Sequence, residues 1–327
     1  MSSTSEFGDI QSDLHEHPAL SSNFRLRTPV LKDVIKQALF KISMKQTGVI
    51  FYGPPRVGKT RCFKALRVEI PRHHKNAYVI SMIAVARENA RHVSTIVNQL
   101  ILKEEVEPPR YSSSVKIFNI LVDIIIRKMK AQSKNHLVLL FDELQRFGVA
   151  DFYQLADMVN ELDDRGIKVT VISFGMPELK DLAKKFKSVE QLQIVSRFMS
   201  NLRSLSGVTS KESLRYILGL YDTDMFYPEN SGVSYTQHFF PNSFAAGWRL
   251  SSLADVIWGE MHKVATGAYV KNLPMEHVST VVRYFYQVGS ISDSEVEPIT
   301  PQDIQDAIDI SGFREFCVAV EEGLYEA

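Results

Sequence analysis

The sequence predicts an α/β fold in which helices flank a parallel five-stranded sheet, followed by a small all-α region. Between residues 25 and 207, short apolar segments alternate with amphipathic helical segments, the pattern of a parallel sheet covered on both faces. Chemically functional side chains directly follow two of the apolar segments, at the strand ends where such sheets bind ligands. From Thr209 onward the apolar periodicity is helical.

The individual elements have recognisable start signals and lengths. Thr28 as N-cap and Pro29 at the first helical position begin a helix that is predicted to end near Met44. Apolar runs predict strands at 48–52, 77–81, 136–141, 168–175 and 202–205. Helical spacing predicts helices at 59–69, 92–103, 113–129, 151–165, 177–187, 210–219, 251–265, 274–288 and 301–310.

Composition and charge set the domain organisation. With 327 residues, 45% hydrophobic and 23% charged, the chain is an ordinary globular protein with room for one large and one smaller domain. We predict a mobile acidic tail over 1–24, an α/β domain over 25–207, and a helical lid and C-terminal region over 208–327. An aromatic loop at 221–247 interrupts the helical region as an insertion with packing aromatics, or alternatively as a protein-docking surface.

Several classes of protein are disfavoured by the same composition. No apolar run is long enough to span a bilayer, and the polar, acidic first 24 residues do not resemble a secretion signal. Cys62 and Cys317 are far apart without metal-ligand spacing, which favours a reducing compartment over a disulfide framework or a zinc site.

Charge is unevenly distributed although the formal net charge is zero. Residues 25–75 hold thirteen Lys and Arg against Asp33 and Glu69, whereas residues 290–327 hold ten Asp and Glu against Arg314 alone. A basic body with acidic ends suggests a polyanion partner for the body, the alternative being ordinary solvated helix faces.

The most specific motif is GPPRVGKT, which fits the phosphate-binding P-loop pattern G-x-x-x-x-G-K-[ST] between a predicted strand and helix. In such a loop, backbone N–H groups and the helix N-terminus face the phosphates. Lys59 is predicted to reach the β- and γ-phosphates, and the Thr60 hydroxyl to ligate Mg²⁺. The predicted cofactor-binding residues in this segment are Gly53, Pro54, Pro55, Arg56, Val57, Gly58, Lys59, Thr60 and Arg61.

A second motif follows the third predicted strand. The apolar run His136–Phe141 ends in Asp142 and Glu143, the Walker B pattern. Asp142 is predicted to hold the Mg²⁺ shell, and Glu143 to polarise the attacking water as general base. Ser173, near the end of the fourth strand, is a candidate sensor of the γ-phosphate or the lytic water; the alternative is a strand-end serine bonded to backbone.

The order of these motifs resembles an AAA+ ATPase, and three segments resemble the TnsC/TniB family, most closely the TnsC proteins of CRISPR-associated transposons. These segments are VIFYGPPRVGKT at 49–60, LLFDELQRF at 139–147 and ISFGMPEL at 172–179. The resemblance spans roughly residues 25–290. It implies an ATP- and Mg²⁺-dependent regulator of DNA transposition in the bacterial cytoplasm, without a membrane partner, that is taken apart when ATP is hydrolysed.

The same resemblance implies partners and further site residues. The partners are double-stranded DNA, TnsB/TnsA-like transposase subunits, a TniQ-like target-selection factor, and further copies in a hexameric or heptameric ring or a filament. Arg197 matches the arginine-finger position, with Arg203 as its competitor. Arg249 resembles sensor 2, the alternative being a surface arginine at a helix start. The expected DNA contacts on the inner face of the ring are Arg87, Arg91, Lys103, Arg110 and Lys116.

Two other functional classes compete with this interpretation. A motor or loader, such as a helicase loader, a clamp loader or an Orc/Cdc6-like initiator, shares the ATPase motifs, although no winged-helix domain follows the predicted lid. A STAND-type signalling protein would need a sensor repeat region. Unwinding of a forked duplex would separate a motor from a scaffold.

Overall fold

The computed structural model describes residues 17–21, 24, 26–85, 95–107, 112–188, 192–288, 293 and 297–323. The strands are β1 Gly48–Tyr52, β2 Ala77–Ile83, β3 His136–Asp142, β4 Lys168–Gly175 and β5 Leu202–Ser204. The longer helices are α1 Pro29–Ser43, α2 Lys59–His73, α3 Ile96–Lys103, α4 Ser114–Ala131, α5 Val149–Asp164, α6 Leu179–Ser188, α7 Lys211–Thr223, α8 Ala254–Val264, α9 Met275–Val288, α10 Pro301–Ile310 and α11 Phe313–Glu321.

The five strands form one parallel sheet in the order β2-β3-β4-β1-β5. Every residue of β3 is buried. Helices α1 and α2 pack side by side on one face, and α3 and α5 cover the other. This architecture confirms the predicted α/β class, the parallel five-stranded sheet and the helical C-terminal region. Among the described residues, no helix is both long and apolar enough to cross a bilayer.

The chain divides into two compact units. One comprises the described residues of Pro29–Pro55 and Lys59–Leu205, and the other comprises those of Ser206–Glu326 and Met1–Thr28 together with Arg56–Gly58. Each has its own buried core, the first around the sheet and the second around α7, α8 and α9. The predicted boundary near residue 207 is close to this division.

The predicted mobile tail over 1–24 is wrong for its described residues from His17 onward. Pro18–Leu20 form a 3-10 turn, and the His17 side chain is fully buried. Its ring lies 4.4 Å from the Tyr227 ring and 4.5 Å from the rings of Tyr235 and Phe239. Burial, with a smaller effect of His238, lowers the pKa of His17 to about 3, so the ring packs as a neutral aromatic.

The loop at 221–247 supplies the aromatic side chains that pack around His17. It contains the short helices Tyr235–Phe239 and Pro241–Ala245, and Phe239 stacks on Tyr286 of α9 with ring centroids 4.3 Å apart. These contacts agree with the predicted role of its aromatics in packing. The insertion therefore belongs to the core of the C-terminal unit.

Candidate nucleotide site

The P-loop turns sharply between β1 and α2. Arg56 has φ 62° and Gly58 has φ 108°, both in the left-handed region. Glycine adopts this conformation at low cost, whereas Arg56 is held there by its surroundings. A Cβ placed on Gly58 would meet no atom within 4 Å, so the backbone at this point faces open space. The loop thus has the shape of a cradle directly before a helix N-terminus.

Lys59 is buried at the first position of α2, with only 6% of its surface exposed. Its ammonium donates hydrogen bonds to the carbonyl oxygens of Gly53 at 2.7 Å and Pro54 at 2.8 Å, and lies 3.2 Å from Met176 Sδ. Burial lowers the pKa of Lys59, while Glu143 and Asp142 act in the opposite direction. The buried ammonium is therefore only partly compensated by its neighbours.

The second half of the site joins the P-loop helix to the end of β3. Thr60 Oγ1 donates to Asp142 Oδ2 at 2.9 Å, and Asp142 Oδ1 accepts from the Glu143 N–H at 3.0 Å. Burial raises the pKa of Asp142, with Thr60 opposing that shift. A hydroxyl and a carboxylate placed together are the oxygen ligands that Mg²⁺ takes in phosphate sites. A partly compensated cation, a buried carboxylate and an open cradle fit a nucleotide phosphate chain with its Mg²⁺.

Glu143 is held by two side chains that follow it in the sequence. The residue has φ 58°, and its Oε2 accepts from Gln145 Nε2 at 2.7 Å and lies 3.8 Å from Arg146 Nη2. The Gln145 amide oxygen in turn accepts from the Met176 N–H at 3.1 Å. Gln145 therefore links the carboxylate of Glu143 to the segment that follows β4.

Gly175 makes room for this link. A Cβ added there would lie 2.8 Å from Gln145 Oε1 and 2.4 Å from Leu179 Cδ1. Neither Gln145, Met176 nor Gly175 was among the predicted site residues. The DELQ segment at 142–145 carried a signal for Gln145, but only the packing of β3 against β4 reveals the other two.

Ser173 and Asp142 face opposite sides of the sheet. The register pairs Ser173 with Phe141 and Ile50, and paired residues of a parallel sheet share a face. Asp142, one residue beyond Phe141, faces α2, whereas the Phe141 ring contacts Phe147 on the opposite face. The buried Ser173 thus faces the α5 side of the sheet. The predicted sensor role of Ser173 stays a prediction.

Both candidate finger residues lie just before or within β5. Arg197 is part of a π-helical turn, Val195–Met199, and its guanidinium donates to Asn160 Oδ1. Arg203 lies on β5, is exposed, and donates through Nε to Asn201 Oδ1 at 3.0 Å. The two arginines therefore remain rival predictions.

Arg249 occupies the N-cap position of the 3-10 turn Leu250–Leu253. Its Nη1 donates to the carbonyl oxygens of Phe244 at 2.8 Å and Trp248 at 2.6 Å, and its guanidinium stacks 3.5 Å above the Phe244 ring centroid. A local role in packing the loop at 221–247 explains these contacts. The predicted sensor 2 role stays a prediction.

The remaining P-loop side chains have varied surroundings. Val57 is buried, and Pro54, Pro55 and Arg61 are half-buried. Within the second unit, the Arg56 guanidinium lies 4.5 Å from the Phe316 ring centroid, with Nη1 3.3 Å from His277 Nε2. Because His277 Nδ1 lies 2.9 Å from the Ser311 carbonyl oxygen and must donate to it, Nε2 is the acceptor toward Arg56.

Of the predicted DNA contacts, Arg87, Arg91 and Arg110 lie outside the described residues. Lys103, the last residue of α3, and Lys116, in the first turn of α4, are exposed. The next residue after Lys103, Glu104, pairs with Lys128 at 2.9 Å near the far end of α4. Lys103 and Lys116 therefore flank opposite ends of α4, about 18 Å apart along that helix, and do not form one cluster.

Comparison with known proteins agrees with the fold described above. Residues 42–183 match the family model described as an AAA domain, a range that contains the P-loop, the Asp142–Glu143 pair and β4. Domains of this class are in general nucleotide-hydrolysing ATPases. Comparison with curated protein sequences gives no match.

Two solved structures share the fold at low sequence identity. The Aeropyrum pernix ORC2 protein in its ADP form has a TM-score of 0.52 and 12% identity, over 88% of this chain and 70% of that chain. The ORC1 protein of the same organism, in complex with DNA, has a TM-score of 0.51 and 13% identity, over 90% of this chain and 68% of that chain. At these identities the likeness concerns the fold alone. The protein thus contains a domain with the AAA+ P-loop fold.

Proposed function

We propose that this protein hydrolyses ATP as an assembly switch on duplex DNA. The observation that carries the proposal is the 2.9 Å contact between Thr60 Oγ1 and Asp142 Oδ2 beside the buried Lys59 ammonium. Bound ATP with Mg²⁺ would supply the phosphoanhydride bond that water breaks. Lys59 would hold the phosphates, Thr60 and Asp142 the Mg²⁺, and Glu143 would take a proton from the attacking water.

The finer proposal is that the switch regulates DNA transposition. It rests on the resemblance of the segments at 49–60, 139–147 and 172–179 to the TnsC/TniB family. In this proposal, copies of the chain assemble on DNA in the bacterial cytoplasm as a hexameric or heptameric ring or a filament. They connect a TniQ-like target-selection factor to TnsB/TnsA-like transposase subunits, and hydrolysis ends the assembled state.

A helicase loader or an Orc/Cdc6-like replication initiator is the second candidate. The fold shared with the two Aeropyrum pernix proteins favours it, although that likeness extends only to the fold. A forked-duplex assay separates a scaffold from a motor, because a scaffold leaves the fork paired while a motor unwinds it in an ATP-dependent reaction.

The first test separates nucleotide binding from hydrolysis. Glu143→Gln should retain ATP binding and lose turnover by about a hundredfold or more, because the water is no longer polarised while Lys59 and Thr60 are unchanged. Its assemblies on DNA should outlive those of the wild type. Lys59→Ala should lose nucleotide affinity itself, since it removes the charge placed on the phosphates. Equal disassembly rates for Glu143→Gln and wild type would contradict hydrolysis as the release step.

The second test concerns DNA. If Lys116 contacts a phosphate, Lys116→Gln should reduce the slope of log affinity against log salt by about 0.9, with no change in the DNA-free ATPase rate. Lys103→Gln tests the other end of α4 in the same way. Lys168→Gln is the matched control, because this exposed lysine, at the start of β4, is not among the predicted DNA contacts. An unchanged slope in both variants would remove these two residues from the DNA interface.

A further inference from the structure

Two helix faces of opposite charge stand out on the described surface. The first, called the basic face, is the outer side of α1 and α2, where the side chains of Lys32, Lys36, Lys64, Arg67 and Arg72 are exposed. The second, called the acidic face, is the outer side of α10 and α11, where those of Asp309, Glu315, Glu321 and Glu322 are exposed. The charge segregation seen in the sequence therefore becomes two separate helix surfaces.

The basic face is a continuous structural feature. α1 and α2 are 15 residues each, about 22 Å long. They lie side by side with their C-terminal ends joined where the His74 ring, just after α2, lies 3.2 Å from the Leu39 carbonyl oxygen of α1. Lys32 and Lys36 are one turn apart on α1, so their charges lie on the same side of that helix.

Most of this positive charge is not neutralised locally. Among the described residues, Lys32, Lys36 and Arg67 form no ion pair, whereas Arg72 is 3.4 Å from Glu69. On the acidic face, Arg314 lies 3.4 Å from Asp309, and within the described part of the chain Glu315, Glu321 and Glu322 form no ion pair. Each face therefore presents a net charge to solvent.

Both faces also expose large apolar side chains. On the basic face Phe40 is 59% exposed and Met44 56%, and Val68 on α2 is 39% exposed. On the acidic face Ile310 is 65% exposed and Val318 48%. Apolar side chains surrounded by charge of one sign are the composition of a protein-docking surface with a polar rim. A phosphate backbone would use the charges and leave Phe40 and Met44 in water, so a protein partner fits better than nucleic acid.

We infer that the basic face of one copy of this chain docks on the acidic face of a second copy. The opposite charges pair across the contact, and the exposed apolar side chains of the two faces bury one another. Because two different surfaces meet, the contact is heterologous and propagates into a ring or an open filament. The inference rests on the self-assembly in the proposed function and assigns to it a surface outside the nucleotide site.

The size and composition of the faces predict a reversible contact. α10 and α11 are 10 and 9 residues long, about 15 Å each. Such a patch is smaller than an obligate interface, and its charged rim makes association salt-dependent. A contact of this kind suits an assembly that forms and is taken apart.

Charge reversal gives a test with an internal rescue. Variant A carries Lys36→Glu and Arg67→Glu, and variant B carries Glu315→Lys and Glu322→Lys. Each alone should self-associate about tenfold or more weakly than wild type in sedimentation velocity with a non-hydrolysable ATP analogue, because like charges now face each other. Mixing A and B should restore assembly, since A then presents two acidic faces and B two basic ones. The paired changes Lys130→Glu and Lys168→Glu, elsewhere on the surface, control for net charge.

The outcomes separate this inference from the proposed function. Nucleotide binding should be unchanged in A and B, which verifies folding because none of the four residues lies in the nucleotide site. If A and B alone assemble like wild type, the inference is overturned while the assembly switch stands. If A loses duplex DNA binding but keeps self-association, the basic face is a nucleic-acid surface and the inference is overturned. If wild type and the A–B mixture are both monomeric, the inference and the self-assembly in the proposed function both fail, whereas ATP hydrolysis is untouched.

Discussion

At the scale of single residues, Gln145 is one of the two side chains that hold the general-base candidate Glu143, and it makes the shorter contact. Its amide bonds to Glu143 Oε2 on one side and to the Met176 N–H on the other. Gln145→Ala should therefore lower kcat by about ten- to a hundredfold, because a misplaced base loses catalytic geometry, while ATP affinity stays near the wild-type value. Steady-state ATPase kinetics with a separate nucleotide-binding titration measure the two effects.

Gln302→Ala provides the matched control for this change, since Gln302 is exposed on α10 and bonds only to Asp306 among the contacts described for it. Gln145→Glu adds a sharper comparison, because it keeps the length of the side chain but places a carboxylate against Glu143. A Gln145→Ala enzyme with unchanged kcat and KM would show that Glu143 needs no such support.

The site residues that could be predicted from sequence are those that belong to short, local motifs. Lys59, Thr60, Asp142 and Glu143 could be proposed from sequence because each pair belongs to a motif of fixed spacing, one after β1 and the other at the end of β3. In the structure Thr60, Asp142 and Glu143 lie together, and the roles assigned to them stay predictions. The face toward which the Ser173 side chain points could not be predicted from sequence. It depends on the register between β3 and β4, and a shift of one residue moves a strand side chain to the other face of the sheet.

At the scale of elements, Asp151 joins two segments of the α/β unit. From the first turn of α5, its carboxylate accepts from the Gly148 N–H at 2.9 Å and from the Ile96 N–H, at the start of α3, at 3.2 Å. The side chain is buried. Asp151→Ala should reduce the free energy of unfolding by about 2 kcal/mol, because the buried Ile96 N–H and the half-buried Gly148 N–H lose a charged acceptor. Urea unfolding followed by circular dichroism measures the change.

Asp157→Ala is the control on the same helix, because Asp157 is exposed one to two turns further along α5. Its effect should stay within about 0.5 kcal/mol. Asp151→Asn should recover part of the loss, since the amide oxygen can still accept one of the two hydrogen bonds. Equal stability of the Asp151→Ala and Asp157→Ala proteins would show that the link between α3 and α5 contributes nothing measurable.

The ends of helices and strands could likewise be predicted from sequence where neighbouring residues determine them. The helix beginning at Pro29 and the strands β1, β3 and β4 follow local signals and were predicted closely. The segment at His17 was predicted to be a mobile tail because its own residues are polar. The aromatic rings that bury it, Tyr227 to Phe239, lie some two hundred residues away in the sequence, so no local pattern could reveal the contact.

At the scale of the whole molecule, the two units have separate cores and the proposed activity depends on more than one copy. The candidate nucleotide site contains the P-loop, the Lys59 ammonium, the Thr60–Asp142 pair proposed to hold Mg²⁺, and Glu143 as the candidate base. Within the described residues, the candidate finger Arg197 donates to Asn160 of its own chain. An arginine finger supplied by a neighbouring copy would need to exchange that contact for the phosphate of its neighbour's ATP.

Complementation between two inactive proteins tests this arrangement. Arg197→Ala should bind ATP but hydrolyse it roughly 10³-fold more slowly or worse, because the finger stabilises charge in the transition state. Lys59→Ala should fail to bind ATP yet keep its own Arg197. In a mixed assembly with heterologous contacts, some interfaces pair an intact P-loop of one copy with an intact finger of the next. ATPase activity should therefore return on mixing, and should rise with protein concentration as assembly does.

The competitor residue makes this result specific. Arg203→Ala mixed with Lys59→Ala gives the parallel measurement, and the variant that is inactive alone and rescued on mixing identifies the finger. Arg197→Lys should not restore activity, since an ammonium lacks the planar donors of a guanidinium. If labelled copies are shown to co-assemble and no activity returns, the finger does not act between copies. The loss of activity in Arg197→Ala would then arise within one chain, through the contact with Asn160 on α5.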